Sequence, residues 1–201
     1  MWVLYSKRPL QAEELCHALG VEIGSPDLDP NNVPALRILQ SACLGLITIE
    51  ASSSIVRLVH FTLQEHLISY PILFHSPHAA IAEGCLTHLN SESVRDLSPT
   101  LPSVPSTMPL LEYASIYWGE HTRIETTENV KTLALRLLDR FDEHISAQLL
   151  LLRNNEYNGP GVNFMFWGTL LEPPFQGRGA AGFTGLHGAS FLGAAEVVTG
   201  V

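Results

Sequence analysis

The stretch VHFTLQEHL, Val59 to Leu67, sets a histidine between an apolar run of strand character and a segment that reads as the start of a helix. Upstream, GLITIE (Gly45–Glu50) and IVRLVH (Ile55–His60) are rich in β-branched residues and are joined by Ala51 to Ser54, the pattern of a short hairpin. Downstream, Thr62 followed three residues later by Glu65 fits a capping box, and Leu63, Leu67 and Tyr70 form an inward stripe. On this reading His60 is the last strand residue, two positions ahead of the helix cap.

Ahead of the hairpin the pattern predicts two helices. Pro9 followed by Glu13 and Glu14 makes a helix beginning, Leu10, Leu15, Ala18 and Leu19 share a face, and Gly20 closes it. After the turn-rich SPDLDPNN (Ser25–Asn32), a second helix turns Leu36, Leu39 and Cys43 inward. The order helix, helix, hairpin, helix is that of a winged helix with a small β-hairpin wing, assigned to residues 1–72. The fold class expected is mainly α: this domain, then a helical bundle, then one incomplete ankyrin-like helical unit.

The helical segment is placed at 76–153. Ser76 and Pro77 open a helix with Ile81, Cys85 and Leu89 on one side, and Leu111, Ser115 and Trp118 share a face of the next. Val130, Leu133, Ala134, Leu137, Leu138 and Phe141 keep helical spacing, and EHISAQLLLLR continues as a further helix. Residues 91–109 are Ser/Pro-rich and read as a loop or linker, as do the Gly/Pro-rich residues 154–182. Both ends of the chain look cut, as though it were a piece of something longer.

Composition narrows the function. Eleven basic residues against twenty acidic ones leave a net charge of −9 over 201 residues, a poor footprint for nucleic acid. A DNA-binding winged helix is the weaker rival, because the recognition-helix segment VPALRILQSAC carries only Arg37 and the wing tip carries no base. Cys16, Cys43 and Cys85 lack the spacing of a zinc site or disulfide framework and read as reduced thiols in a cytoplasmic protein without membrane segments. GRGAAG (Gly177–Gly182) satisfies the dinucleotide-loop spacing but follows no strand and precedes no acidic residue at the required distance. The pairs His75/His78 and Cys85/His88 have spacings a metal can use, yet read better as polar helix-start and helix-face residues. No nucleophile stands in a catalytic setting, so neither an enzyme activity nor a catalytic or metal site is expected.

Two readings of His60 remain open on these grounds. It continues the face of Val56 and Leu58, as a structural histidine would. It also lies beside the N-terminus of a helix, where free N–H groups and the dipole suit an anion and a neutral ring donating one N–H.

Five stretches, WVLYSKRPLQAEELCHALGVEIG (Trp2–Gly24), CLGLITIE (Cys43–Glu50), VRLVHFTLQEHL (Val56–Leu67), IAEGCLTHL (Ile81–Leu89) and LLEYASIYWGEHTR (Leu110–Arg123), together resemble fungal NACHT-type STAND proteins, the NLR-like receptors of filamentous fungi. Their winged helix is often described as the GPI inositol-deacylase winged helix, a name that implies no deacylase activity here. The resemblance implies that His60, with Gln64 and Glu65, matches a histidine motif whose ring contacts the β-phosphate of ADP held by a preceding NACHT domain. It further implies that the chain binds no cofactor by itself and meets ADP or ATP through that domain. GFTGLHGASFLGAAEVV (Gly182–Val198) resembles the opening of an ankyrin repeat, with Thr184, Leu186, His187, Ala189 and Gly193 in the motif positions, in a unit placed at 183–201. The partners implied are the NACHT domain and ankyrin repeats of the same protein, and other proteins. The alternative is an ankyrin-type interaction scaffold without nucleotide sensing.

Overall fold

The computed structural model describes residues 1–101 and 103–158. The ankyrin-like positions Thr184, Leu186, His187, Ala189 and Gly193 lie outside the described residues, as do GRGAAG and most of the 154–182 segment.

A one-turn helix α1 (Trp2–Tyr5) leads through an extended Arg8–Gln11 run into α2 (Ala12–Gly20). The helix therefore starts three residues after Pro9, not at it. The N–H of Gln11 is taken by the Glu14 carboxylate at 2.8 Å, closing a capping box, while the Leu10 carbonyl is drawn to the Val56 N–H at 2.9 Å. Leu10, Leu15 and Ala18 are buried as expected, but Leu19 is 46% exposed. A 3₁₀ turn (Pro30–Asn32), capped by Asp29, precedes α3 (Leu36–Ala42), in which Leu39 alone is buried and Leu36 and Cys43 are not. Gly20 is where these pieces touch most closely: a Cβ there would stand 2.8 Å from Val33 Cγ2 and 3.1 Å from Val33 Cα. Because backbone as well as side chain must yield, Gly20→Ala is expected to destabilise the chain by about 1–3 kcal/mol in urea unfolding.

The wing is the antiparallel pair β1 (Ile47–Ile49) and β2 (Val56–Leu58), in register Ile47↔Leu58, Thr48↔Arg57 and Ile49↔Val56. Gln11 pairs with Ile55 as an isolated bridge, so the run before α2 lies along the free edge of β2. Helix α4 (Phe61–Ser69) follows, and then a 3₁₀ turn (Pro71–Leu73). The expected inward stripe of α4 is only partly realised: Leu63 and Leu67 are half-buried and Tyr70 is exposed.

The remaining helices are α5 (Pro77–Leu89), α6 (Glu92–Arg95), α7 (Leu110–Ile124), α8 (Glu128–Leu138) and α9 (Ile145–Asn158). Helix α5 is the axis of the core. Its small and apolar residues let α7 and α8 pack on it from different sides, and Gly84 admits the Trp2 indole, which brings α1 onto the same helix. The Ser/Pro-rich segment 91–109 is not a free linker: it contains α6 with Val94 fully buried, and Leu97, Leu101, Val104 and Met108 pack on the core. Prolines limited regular structure there, but apolar residues at three- to four-residue intervals hold the segment down. Residues 154–158, expected in a linker, continue α9. The fold is thus mainly helical, a winged helix with a two-strand sheet followed by a helical region.

Candidate functional site

After β2 the ladder runs one step further, with the Val59 N–H donating to the Leu46 carbonyl at 3.0 Å. His60 is still extended (φ −146°, ψ 141°), and it is itself the N-cap of α4: its Nδ1 accepts from the Thr62 N–H at 3.2 Å, with Thr62 Oγ1 2.8 Å from the same nitrogen. Nδ1 stands two bonds beyond Cβ, as the side-chain oxygen of asparagine does, so the ring can take the place of the usual capping residues. This overturns the expected Thr62–Glu65 cap. Thr62 is the second residue of the helix and serves His60, while Glu65 is exposed on the outer side of the first turns.

The imidazole is exposed, not sealed in hydrocarbon, and its neighbours are unusual for a surface. The flanking residues Val59 and Phe61 are largely exposed, Phe61 at 68%, and so is Leu46, whose carbonyl accepts from Val59. Leu44, 86% exposed, is held in the left-handed conformation (φ 47°), which costs a side-chain-bearing residue on the order of 1 kcal/mol. Along α4, Phe61 and Ile68 share a face two turns apart, and Ile72 at 75% exposure prolongs the apolar surface. No residue of α4 is buried.

The charge on the winged helix leaves little for a phosphate backbone. Of its basic residues, Lys7 faces Glu120 at 4.0 Å and Arg8 grips Glu14, so Arg37 and Arg57 are the exposed cations of this part of the chain.

Sequence reading missed a buried histidine network where the winged helix meets the bundle. His78 Nδ1 lies 2.8 Å from His121 Nδ1, His121 Nε2 lies 2.9 Å from the Tyr113 hydroxyl, and that hydroxyl oxygen accepts from the Lys7 N–H at 3.0 Å. The Glu125 carboxylate caps α5 by accepting from the N–H groups of His78 and Ala79 at 2.8 and 3.2 Å. No local spacing signals these contacts, since His78 and His121 are 43 residues apart. Burial pushes His121 down to about 3, helped by the neighbouring His78 and Lys7. Burial likewise pushes His88 down to about 4, and neither of its ring nitrogens has a hydrogen-bond partner among the described residues. The Cys85 thiol is pushed up by complete burial, the opposite of what a nucleophile needs.

His75 is exposed, whereas His78 is engaged with His121; Cys85 and His88 are both buried. Among the described residues no group of three or more His, Cys, Asp or Glu side chains converges as a metal site requires. A groove of about 410 Å³ between α2, Val33–Leu36 and Ser106–Pro109 contains Glu13, Cys16 and His17, with the Cys16 thiol raised by burial and by Glu13.

Among the described residues no helix is long and apolar enough to cross a membrane. No curated protein and no solved structure matches the chain. Residues 1–76 match the family model of the GPI inositol-deacylase, winged helix domain, so the first part of the chain carries a winged helix of the kind found in GPI inositol-deacylase-like proteins.

Proposed function

We propose that this chain is a non-catalytic regulatory part of an NLR-like signalling protein. In this reading the winged helix docks through the His60 face onto a nucleotide-binding NACHT domain and relays its ADP or ATP state to ankyrin-type repeats in the Thr184–Val198 region and beyond. The observation that supports it best is the exposed imidazole at the strand-to-helix junction, in a segment where Leu44, Leu46, Val59 and Phe61 are exposed too. Several exposed large apolar residues close in sequence to one exposed polar group have the composition of a protein interface, with the polar group fixing what is recognised. The strained backbone at Leu44 points the same way, because it holds an apolar side chain outward at an energetic cost.

The mechanism is linkage. A contact from His60 to nucleotide that exists only in the closed arrangement favours that arrangement by the free energy of the contact. One charge-assisted hydrogen bond contributes on the order of 1.5–3 kcal/mol, roughly a ten- to hundredfold change in the closed-to-open ratio.

The test uses a polypeptide that carries this chain behind its NACHT domain, purified with the nucleotide it retains. His60→Ala is expected to raise the ADP off-rate by about tenfold or more, in keeping with the loss of one such bond. An unchanged off-rate overturns the nucleotide-sensing role and leaves the chain as an interaction scaffold.

A further inference from the structure

His60 has two ring nitrogens, and the structure gives them different duties. Nδ1 receives the Thr62 backbone N–H, and an amide N–H can only donate, so Nδ1 presents its lone pair. A neutral imidazole carries one N–H, which then sits on Nε2. The Thr62 hydroxyl, 2.8 Å from the same Nδ1, must also act as a donor. The opposite tautomer would set an N–H against an N–H and uncap α4, which has no other side-chain cap at that end.

We propose that Thr62, through its backbone N–H, is a positioning residue that fixes the His60 tautomer, so that the exposed side of the ring meets its partner only as an Nε2–H donor. The group opposite must then be an acceptor, such as a phosphate oxygen, and a donor such as an amide N–H or an ammonium is rejected. The tautomer stands on this chain alone; what it faces rests on the docking proposed above.

Two-bond ¹H–¹⁵N correlation of the ¹⁵N-histidine-labelled chain reads the tautomer directly. At about pH 8, above the usual titration range of imidazole, His60 should show an unprotonated Nδ1 and a protonated Nε2. Thr62→Pro, which removes the backbone N–H at a first-turn position where proline is tolerated, should move the pair toward the averaged pattern of two exchanging tautomers, whereas Thr62→Val, which keeps that N–H, should leave it unchanged. A protonated Nδ1, or an averaged pair in the unaltered chain, overturns the inference whatever His60→Ala does to ADP. In the polypeptide with its NACHT domain, a slowly exchanging Nε2–H that appears only with ADP identifies a phosphate acceptor. The same signal without nucleotide identifies an acceptor of the protein itself. Its absence in both conditions overturns the donor role, while the tautomer result still reports separately on Thr62.

Discussion

Lowering the pH from about 7.5 to about 5 will reduce the unfolding free energy of this chain by on the order of 4 kcal/mol through His88 and His121 alone. Both rings are held below the unfolded value of 6.5 in the fold, at about 4 and about 3, mainly because burial disfavours the charged form. A depressed histidine contributes stability that is complete above the unfolded value and is lost as pH falls toward the folded one. Below pH 6.5 the unfolded chain therefore binds protons that the fold refuses, at about 1.4 kcal/mol per pH unit and per ring. His17, His78 and His144 are lowered by burial as well and act in the same direction. Against a usual stability of about 5–15 kcal/mol, this places acid unfolding within reach of mildly acidic buffers.

Guanidinium titrations followed by circular dichroism at the two pH values check the sum; a difference under about 1 kcal/mol, less than one such ring contributes over this range, excludes the mechanism. His88→Leu separates the contributions. Neither of the His88 ring nitrogens has a partner among the described residues, so an apolar replacement removes no hydrogen bond seen there. It should leave stability at neutral pH nearly unchanged or higher, and should remove about half of the pH dependence that His88 and His121 contribute.

The same histidines mark the boundary of what a sequence can tell. Helix α8 was legible because burial there follows the helical period on one side, with Val130, Ala134 and Leu137 inward, whereas α7, whose Leu111, Ser115 and Trp118 are inward as read, is buried on nearly every side. The wing was legible because β-branched residues flank a short polar turn. Helix α5 was legible as a helix but not as the axis, since the stripe Ile81, Cys85 and Leu89 says nothing of Ala82, Leu86 and His88 being buried too. That burial is a property of the three helices and the Trp2 indole around it. The His78–His121 link is wholly tertiary, while Tyr113 and His121 meet along one helix.

At the candidate site the sequence placed His60 at a strand-to-helix junction but gave the helix cap to Thr62. Thr62 and Glu65 satisfy the local capping pattern, yet Phe61 is already helical, so the cap falls to the ring one position earlier. Capping-box statistics weigh serine and threonine and have little to say about an imidazole that reaches the same N–H. The exposure of Leu44 and Phe61 was equally unreadable, because apolar residues next to a strand are ordinarily taken for core.

Glu14→Ala is expected to cost about 3–5 kcal/mol, among the largest effects of any single polar substitution in this chain. Sequence reading gave Glu14 only the role of an acid in the first turn of a helix, and the fold asks more of it. Its carboxylate is almost fully buried, receives Arg8 through both nitrogens at 2.8 and 2.6 Å, and accepts the Gln11 N–H at 2.8 Å. Arg8 in turn stands over the Tyr113 ring at 5.3 Å, so this one carboxylate fixes the start of α2 and orients a cation onto α7. Truncation uncaps the helix and leaves a partly buried guanidinium without its anion, which is why the cost exceeds that of a surface pair. Glu14→Gln keeps the acceptor for Gln11 but not the charge, and should recover roughly half of the loss. Replacing Arg8 and Glu14 together by methionine should restore most of the stability, since the penalty lies in the unpaired charge. Chemical denaturation of Arg8→Met, Glu14→Met and the double variant measures this coupling. If the Glu14→Ala and double variants unfold at the same denaturant concentration, the pair is not the source of the effect and the lost helix cap is.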